Sequence, residues 1–158
     1  MTELALTLTG LIHCISPFFL LTMSHAAKAL VLHCIDFRFV HDTLHEMKRR
    51  GLDRQYDDVG LAGAAKCLVD PMQPHDPEVV LRQIELSKKL HGITDVYLIN
   101  HLDCGAYGKI FSSPAEELAR HASDLAKAKA MVEAKSGLTV HTLIARLTDN
   151  GVVFDEMS

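Results

Sequence analysis

Hydrophobic positions recur along this chain in two alternating rhythms. Ala29-Leu30-Val31-Leu32-His33-Cys34-Ile35 is nearly continuously apolar, as expected of a strand buried on both faces. Val40, Leu44 and Met47 then recur at helical spacing, with Lys48, Arg49 and Arg50 in the last turn and Gly51 as the stop. Tyr56 to Ala62 predicts a weaker strand that leads into the small residues Gly63-Ala64-Ala65. Asp76-Pro77-Glu78 reads as a helix start, with Asp76 as N-cap and Pro77 at the first helical position. That helix should run to about His91 and end at Gly92. Val96-Tyr97-Leu98-Ile99 predicts another buried strand, delivering His101 at its C-terminal end. Ser113-Pro114-Ala115-Glu116 has the pattern of a capping box. The helix it opens should line one face with Leu118, Ala122, Leu125 and Val132 and stop at Gly137. Thr139 to Leu147 and Val152 to Phe154 predict closing strands around a turn at Asp149-Asn150-Gly151.

Strands alternating with helices in this order predict a three-layer α/β/α fold with a mainly parallel central sheet. Residues 26–158 are expected to form one catalytic domain, preceded by an apolar extension or arm over residues 1–25. From Leu4 to Met23 there is no Asp, Glu, Lys or Arg, so the stretch is long enough for a membrane span or a signal-peptide core. Glu3 and the lack of Lys or Arg before it argue against a signal peptide, and Thr7, Thr9, His13, Ser16 and Pro17 dilute a span. An arm packed on a partner subunit, or a start at Met23, are the other readings. A cytoplasmic location is expected, with export as the alternative if the first 25 residues are a signal peptide.

Composition narrows the partners. The formal charge of −4 over 158 residues provides no basic footprint, so neither nucleic acid nor a membrane is expected as a partner. Cysteines at 14, 34, 67 and 104 lack the dense spacing of a disulfide scaffold. Cys14 and Cys67 read as buried apolar residues. Cys34 and Cys104 stand beside other metal-capable side chains.

In open α/β sheets, ligands bind beyond the carboxyl ends of the strands. Two such ends carry chemistry: Cys34-Ile35-Asp36-Phe37-Arg38 and His101-Leu102-Asp103-Cys104-Gly105. Adjacent strands lie about 5 Å apart, so the loops that follow them can bring Cys34, His101 and Cys104 to one ion. Two thiolates and an imidazole suit Zn2+, and three protein ligands leave a fourth position open for water. The short turn after Cys104 should favour its thiolate. Asp36 and Arg38, alternating onto one face, can form a bidentate ion pair beside the metal. Asp36 would then either orient the attacking oxygen or swing in as a fourth ligand.

Cys34-x-Asp36-x-Arg38 followed by His101-x-x-Cys104-Gly105 resembles the signature of the β-class carbonic anhydrases, and His-x-Asp-Cys-Gly is similar to their smaller members. The resemblance covers roughly Lys28 to the C-terminus. It implies zinc-dependent, reversible hydration of CO2 to bicarbonate by a zinc-bound hydroxide, since zinc lowers the pKa of bound water to about 7. It further implies Cys34, His101 and Cys104 as ligands, Asp36 and Arg38 as the catalytic pair, and a homodimer or higher homo-oligomer with sites near the interface.

The chain departs from the family where Phe37 replaces a small residue and where Gly60-Leu61-Ala62-Gly63 replaces Arg-Asn-Ala-Gly. Those departures open two alternatives: hydrolysis of a related linear substrate such as COS or CS2, or a non-catalytic zinc-binding protein on the same scaffold. Gly60-x-x-Gly63-x-x-Lys66 lacks the ending of a phosphate loop and reads as small-residue packing. Asp103 reads as a solvated residue, or one that orients His101 or a neighbouring backbone group.

Overall fold

A computed structural model describes residues 25–157. The stretch before His25, with Cys14 and the arm, signal and membrane-span readings, lies outside the described residues. Among the described residues no helix is long and apolar enough to cross a membrane.

Five strands form one sheet in the order β2-β1-β3-β4-β5: β1 (Ala29–His33), β2 (Tyr56–Gly60), β3 (Asp95–His101), β4 (Thr139–Thr148) and β5 (Gly151–Glu156). The first four are mutually parallel, and β5 returns antiparallel to β4. Four α-helices accompany them: α1 (Phe37–Arg49), α2 (Lys66–Val69), α3 (Asp76–His91) and α4 (Pro114–Ser136). α1 covers one face of the sheet, where Phe39 and Met47 pack on Ala29, Val31, Ile99 and Leu143. On the other face α2, α3 and α4 bury Leu30, Leu32, Val96 and Leu98 beneath Val80, Ile84, Leu125 and Val132. β1 sits between two strands and two helical layers, which is why every one of its five residues is buried and why it reads as a nearly continuous apolar run. The three-layer architecture is thus the expected one.

Local details differ from the periodicity. Met47 is buried as expected, but Val40 and Leu44 are exposed, and α1 buries Phe39, Thr43 and Glu46 in their place. Phe39 and Met47 fix that face against the sheet, and the Glu46 it buries is paired: it accepts from Arg50 Nε at 2.7 Å, and Arg50 reaches on to Glu156 of β5 at 2.8 Å. Leu118 is likewise exposed, while α4 buries His121 and Asp124 beside Leu125, Ala128 and Val132. Asp76 is the first residue of α3 rather than its cap. Its carboxylate accepts the Gln73 N–H at 2.9 Å, and Pro77 falls one position later than expected. The capping residue of α4 is Ser113, as its pattern predicts, accepting the Glu116 N–H at 3.2 Å. Cys67 is buried, as expected.

Candidate metal centre

The chemistry-bearing residues gather where two central strands end at different heights. β1 stops at His33, which is in register with Ile99, so β3 runs two residues further before His101 closes it. Cys34 leaves β1 at the level where β3 still continues. Leu102 and Asp103 then reverse the chain, Asp103 in the left-handed region at φ 54°, and Cys104 caps a 3-10 turn over Gly105–Tyr107.

This route brings Cys34, His101 and Cys104 together. One ligand atom from each lies within 4.8 Å of the other two, and all three residues are buried. The Sγ atoms of Cys34 and Cys104 are 3.8 Å apart. Nδ1 of His101 donates to the Leu102 carbonyl at 2.8 Å, which leaves the Nε2 lone pair facing the thiols. Nε2 is buried and has no hydrogen-bond partner. A buried acceptor without a donor is costly, and a cation among two sulfurs and an imidazole would relieve that cost. The donor set fits a metal ion.

The two thiols share their protons unequally. The Cys104 thiol, with help from His101 and the Gly63 N–H, brings Cys34 well below the usual thiol range against the opposing effect of burial. Cys104 is pushed upward, first because it donates to Cys34 and then because it is buried. The backbone N–H groups of Ala106 and Tyr107 favour its thiolate, as the following turn predicts, but they are outweighed. Gly63 has a φ of +85°, and a Cβ there would meet the Ala106 Cβ at 3.0 Å. The small-residue segment therefore packs as expected and also donates the Gly63 N–H to Cys34 Sγ at 3.4 Å. His33 braces the same loop, spanning the Cys34 carbonyl at 2.8 Å and Asp58 at 3.1 Å.

Asp36 and Arg38 are paired, though not by strand alternation. Asp36 is the N-cap of α1 and accepts the Arg38 N–H at 3.0 Å. Arg38, the second residue of the helix, folds back and donates Nε and Nη2 to the same carboxylate at 3.0 and 2.7 Å. The guanidinium holds the Asp36 carboxyl down to about 2. Asp36 Oδ2 lies 3.8 Å from His101 Nε2, so the ionised carboxylate borders the metal-capable cluster. Phe37, between the pair, is 86% exposed.

Asp103 has a partner that sequence reasoning missed. Its Oδ2 and its carbonyl oxygen accept Nη1 and Nη2 of Arg38 at 2.8 and 3.0 Å. Its own N–H donates to Glu117 of α4 at 2.6 Å. Beneath this lies a buried polar layer. Asn100 accepts the Ala65 N–H at 3.1 Å and donates to Tyr107 Oη at 3.0 Å and to His121 Nδ1 at 3.1 Å. Nothing in the spacing of Asn100, Glu117 and His121 marks them; only the Asn in an otherwise apolar strand hints at a buried partner.

A family model described as "Putative carbonic anhydrase" matches residues 24–147. An uncharacterized protein of Rickettsia bellii is 32% identical over 133 residues, covering 80% of each chain. Among solved structures, a carbonic anhydrase from Streptococcus mutans shares the fold at a TM-score of 0.55, with 18% identity over 86% of both chains. A tetrameric β-carbonic anhydrase from Sordaria macrospora does so at 0.51, with 16% identity over 85% of this chain and 82% of its own.

Proposed function

Because the chain belongs to this carbonic anhydrase family, we propose that it catalyses the zinc-dependent, reversible hydration of CO2 to bicarbonate. The observation that carries the reading is the orphaned, buried Nε2 of His101 facing two cysteine sulfurs beside an ionised carboxylate. Cys34, His101 and Cys104 would hold the zinc, whose soft, borderline character matches two sulfurs and one nitrogen. When bound, the ion supplies activation of water near neutral pH.

The remaining work falls to this chain. Asp36 accepts a hydrogen bond from the attacking water and thereby points a lone pair at the carbon of CO2. Arg38 keeps that carboxylate ionised and holds it in one rotamer through two of its nitrogens. Tyr107, Ala106 and Phe111 pack around the two thiols and limit the entry of bulk water. The same geometry favours a second reading. Asp36 is near enough to His101 Nε2 that a rotation about its side chain would make it a fourth ligand, giving a closed, non-catalytic zinc site.

The protein is proposed to act as a homodimer or higher homo-oligomer. Ile35, Phe37, Val40 and Leu44 form an exposed apolar group on α1 and the loop before it, next to the site. Contiguous apolar surface of this kind marks an interface. A cytoplasmic setting would keep Cys34 and Cys104 reduced and available to metal.

Stopped-flow CO2 hydration by zinc-loaded protein, with metal content measured on the same sample, tests the proposal. A zinc-dependent rate across pH 7 to 9 is the expected result. One zinc per chain without turnover would redirect the reading to COS, CS2 or a binding role. Protein that takes up no zinc would overturn it.

A further inference from the structure

Arg38 is held between two acidic residues, and only one of them belongs to the pair assigned above. Asp103 supplies the other side, and its conformation is unusual. It is a non-glycine residue at φ 54°, a region L-residues enter at an energetic cost and mostly where neighbours force them to. Three contacts do so here. The N–H points to Glu117 Oε1 at 2.6 Å, the carbonyl oxygen receives Nη2 of Arg38, and Oδ2 receives Nη1. A right-handed conformation at Asp103 would turn the N–H and the carbonyl away from these partners together. Glu117 can serve because α4 is anchored, with His121 and Leu125 fully buried one and two turns further on. Its side chain is only 17% exposed.

We propose that Glu117 is a positioning residue for the Asp36–Arg38 pair: by gripping the Asp103 N–H it keeps two acceptors on Arg38, which keeps Asp36 turned onto Arg38 and away from the metal. The inference rests on the zinc reading given above. In its absence Asp103 relaxes, Arg38 loses two of its acceptors, and Asp36 is freed toward the site it borders at 3.8 Å. Glu117 touches no reacting atom and acts through Asp103.

The test is azide binding to the cobalt-substituted, full-length protein, read from the visible absorption of the ion. Azide needs the position that a closing Asp36 would occupy. In E117A the azide dissociation constant should rise about tenfold, equivalent to ~1.4 kcal/mol. E117Q keeps an oxygen acceptor for the Asp103 N–H and should match the wild type. Adding D36A to E117A should restore azide binding, because no carboxylate remains to close the site. Thermal melts confirm that each variant is folded.

An E117A constant within about twofold of wild type would overturn the inference. So would E117Q behaving like E117A, or D36A failing to rescue. Cobalt bound with an indifferent E117A removes only the role of Glu117. A wild type that binds no cobalt removes the metal reading and this inference with it.

Discussion

Lowering the pH should destabilise this protein through one buried ring. His121 is fully buried, accepts from Asn100 at Nδ1, and carries its proton on Nε2, which is 3.8 Å from Glu117 and has no hydrogen-bond partner. Burial, reinforced by neighbouring His101 and Arg120 against the opposing effect of Asp124 and Cys34, lowers its pKa from 6.5 to about 4. Tyr107 packs on its face, with ring centroids 4.0 Å apart. The unfolded chain therefore takes up this proton near pH 6.5 and the native state only near pH 4, so stability falls as pH drops through that window and levels off below it. The full span is about 3.4 kcal/mol, and about 2 kcal/mol of it is lost by pH 5. Urea unfolding of wild type and His121→Gln, both with chelator at pH 7.5 and 5.0, isolates the effect. Every other titrating group is common to the two proteins, so their difference reports residue 121 together with its coupling to His101. Wild type should lose about 2 kcal/mol more than the variant; equal losses would refute the reasoning.

Four further outcomes follow from the geometry. Cys104→Ser should lose zinc and, with it, turnover; full retention by metal analysis would remove Cys104 from the ligand set. Asp36→Ala should keep zinc while CO2 hydration falls about a hundredfold, and an unchanged stopped-flow rate would end its orienting role. Leu44→Glu should shift the protein toward monomer in analytical ultracentrifugation, whereas an unaltered sedimentation coefficient would place the interface elsewhere. Gly63→Ala combines a positive φ with a 3.0 Å clash against Ala106 and should cost about 1–3 kcal/mol in thermal unfolding; an unchanged Tm would show that the loop yields.

The layered fold was readable because β1 and β3 are buried on both faces and so announce themselves as apolar runs, and because Gly51, Gly92 and Gly137 stop their helices where periodicity ends. The convergence of Cys34, His101 and Cys104 followed from placing two strand ends side by side. What stayed hidden depends on side-chain direction. The periodicity of Val40 and Leu44 is real, but the face it marks is turned outward, since Phe39 and Met47 pack on the sheet and Glu46 beside them is satisfied by Arg50. The pairing of Asp36 with Arg38 was expected from alternation and arises instead from a helix cap that lets the arginine fold back. The 3-10 turn after Cys104 was visible, but its effect on the thiol is overridden by a neighbouring sulfur 70 residues earlier in sequence. Glu117 lies 14 residues from Asp103, and only the path of the chain into α4 brings them together.

The sheet order also sets a timetable. β1 is the first of these strands to leave the ribosome, yet one of its two neighbours, β3, is completed only at His101. Throughout the synthesis of the intervening residues, a nearly apolar strand has its β3-facing edge unpaired. Such an edge templates association with other chains, and non-local pairing of this sort is slow to form. The candidate metal site is completed only after that pairing strand, because Cys104 follows β3. Exposed apolar strands of this kind are where nascent chains are prone to associate before they fold.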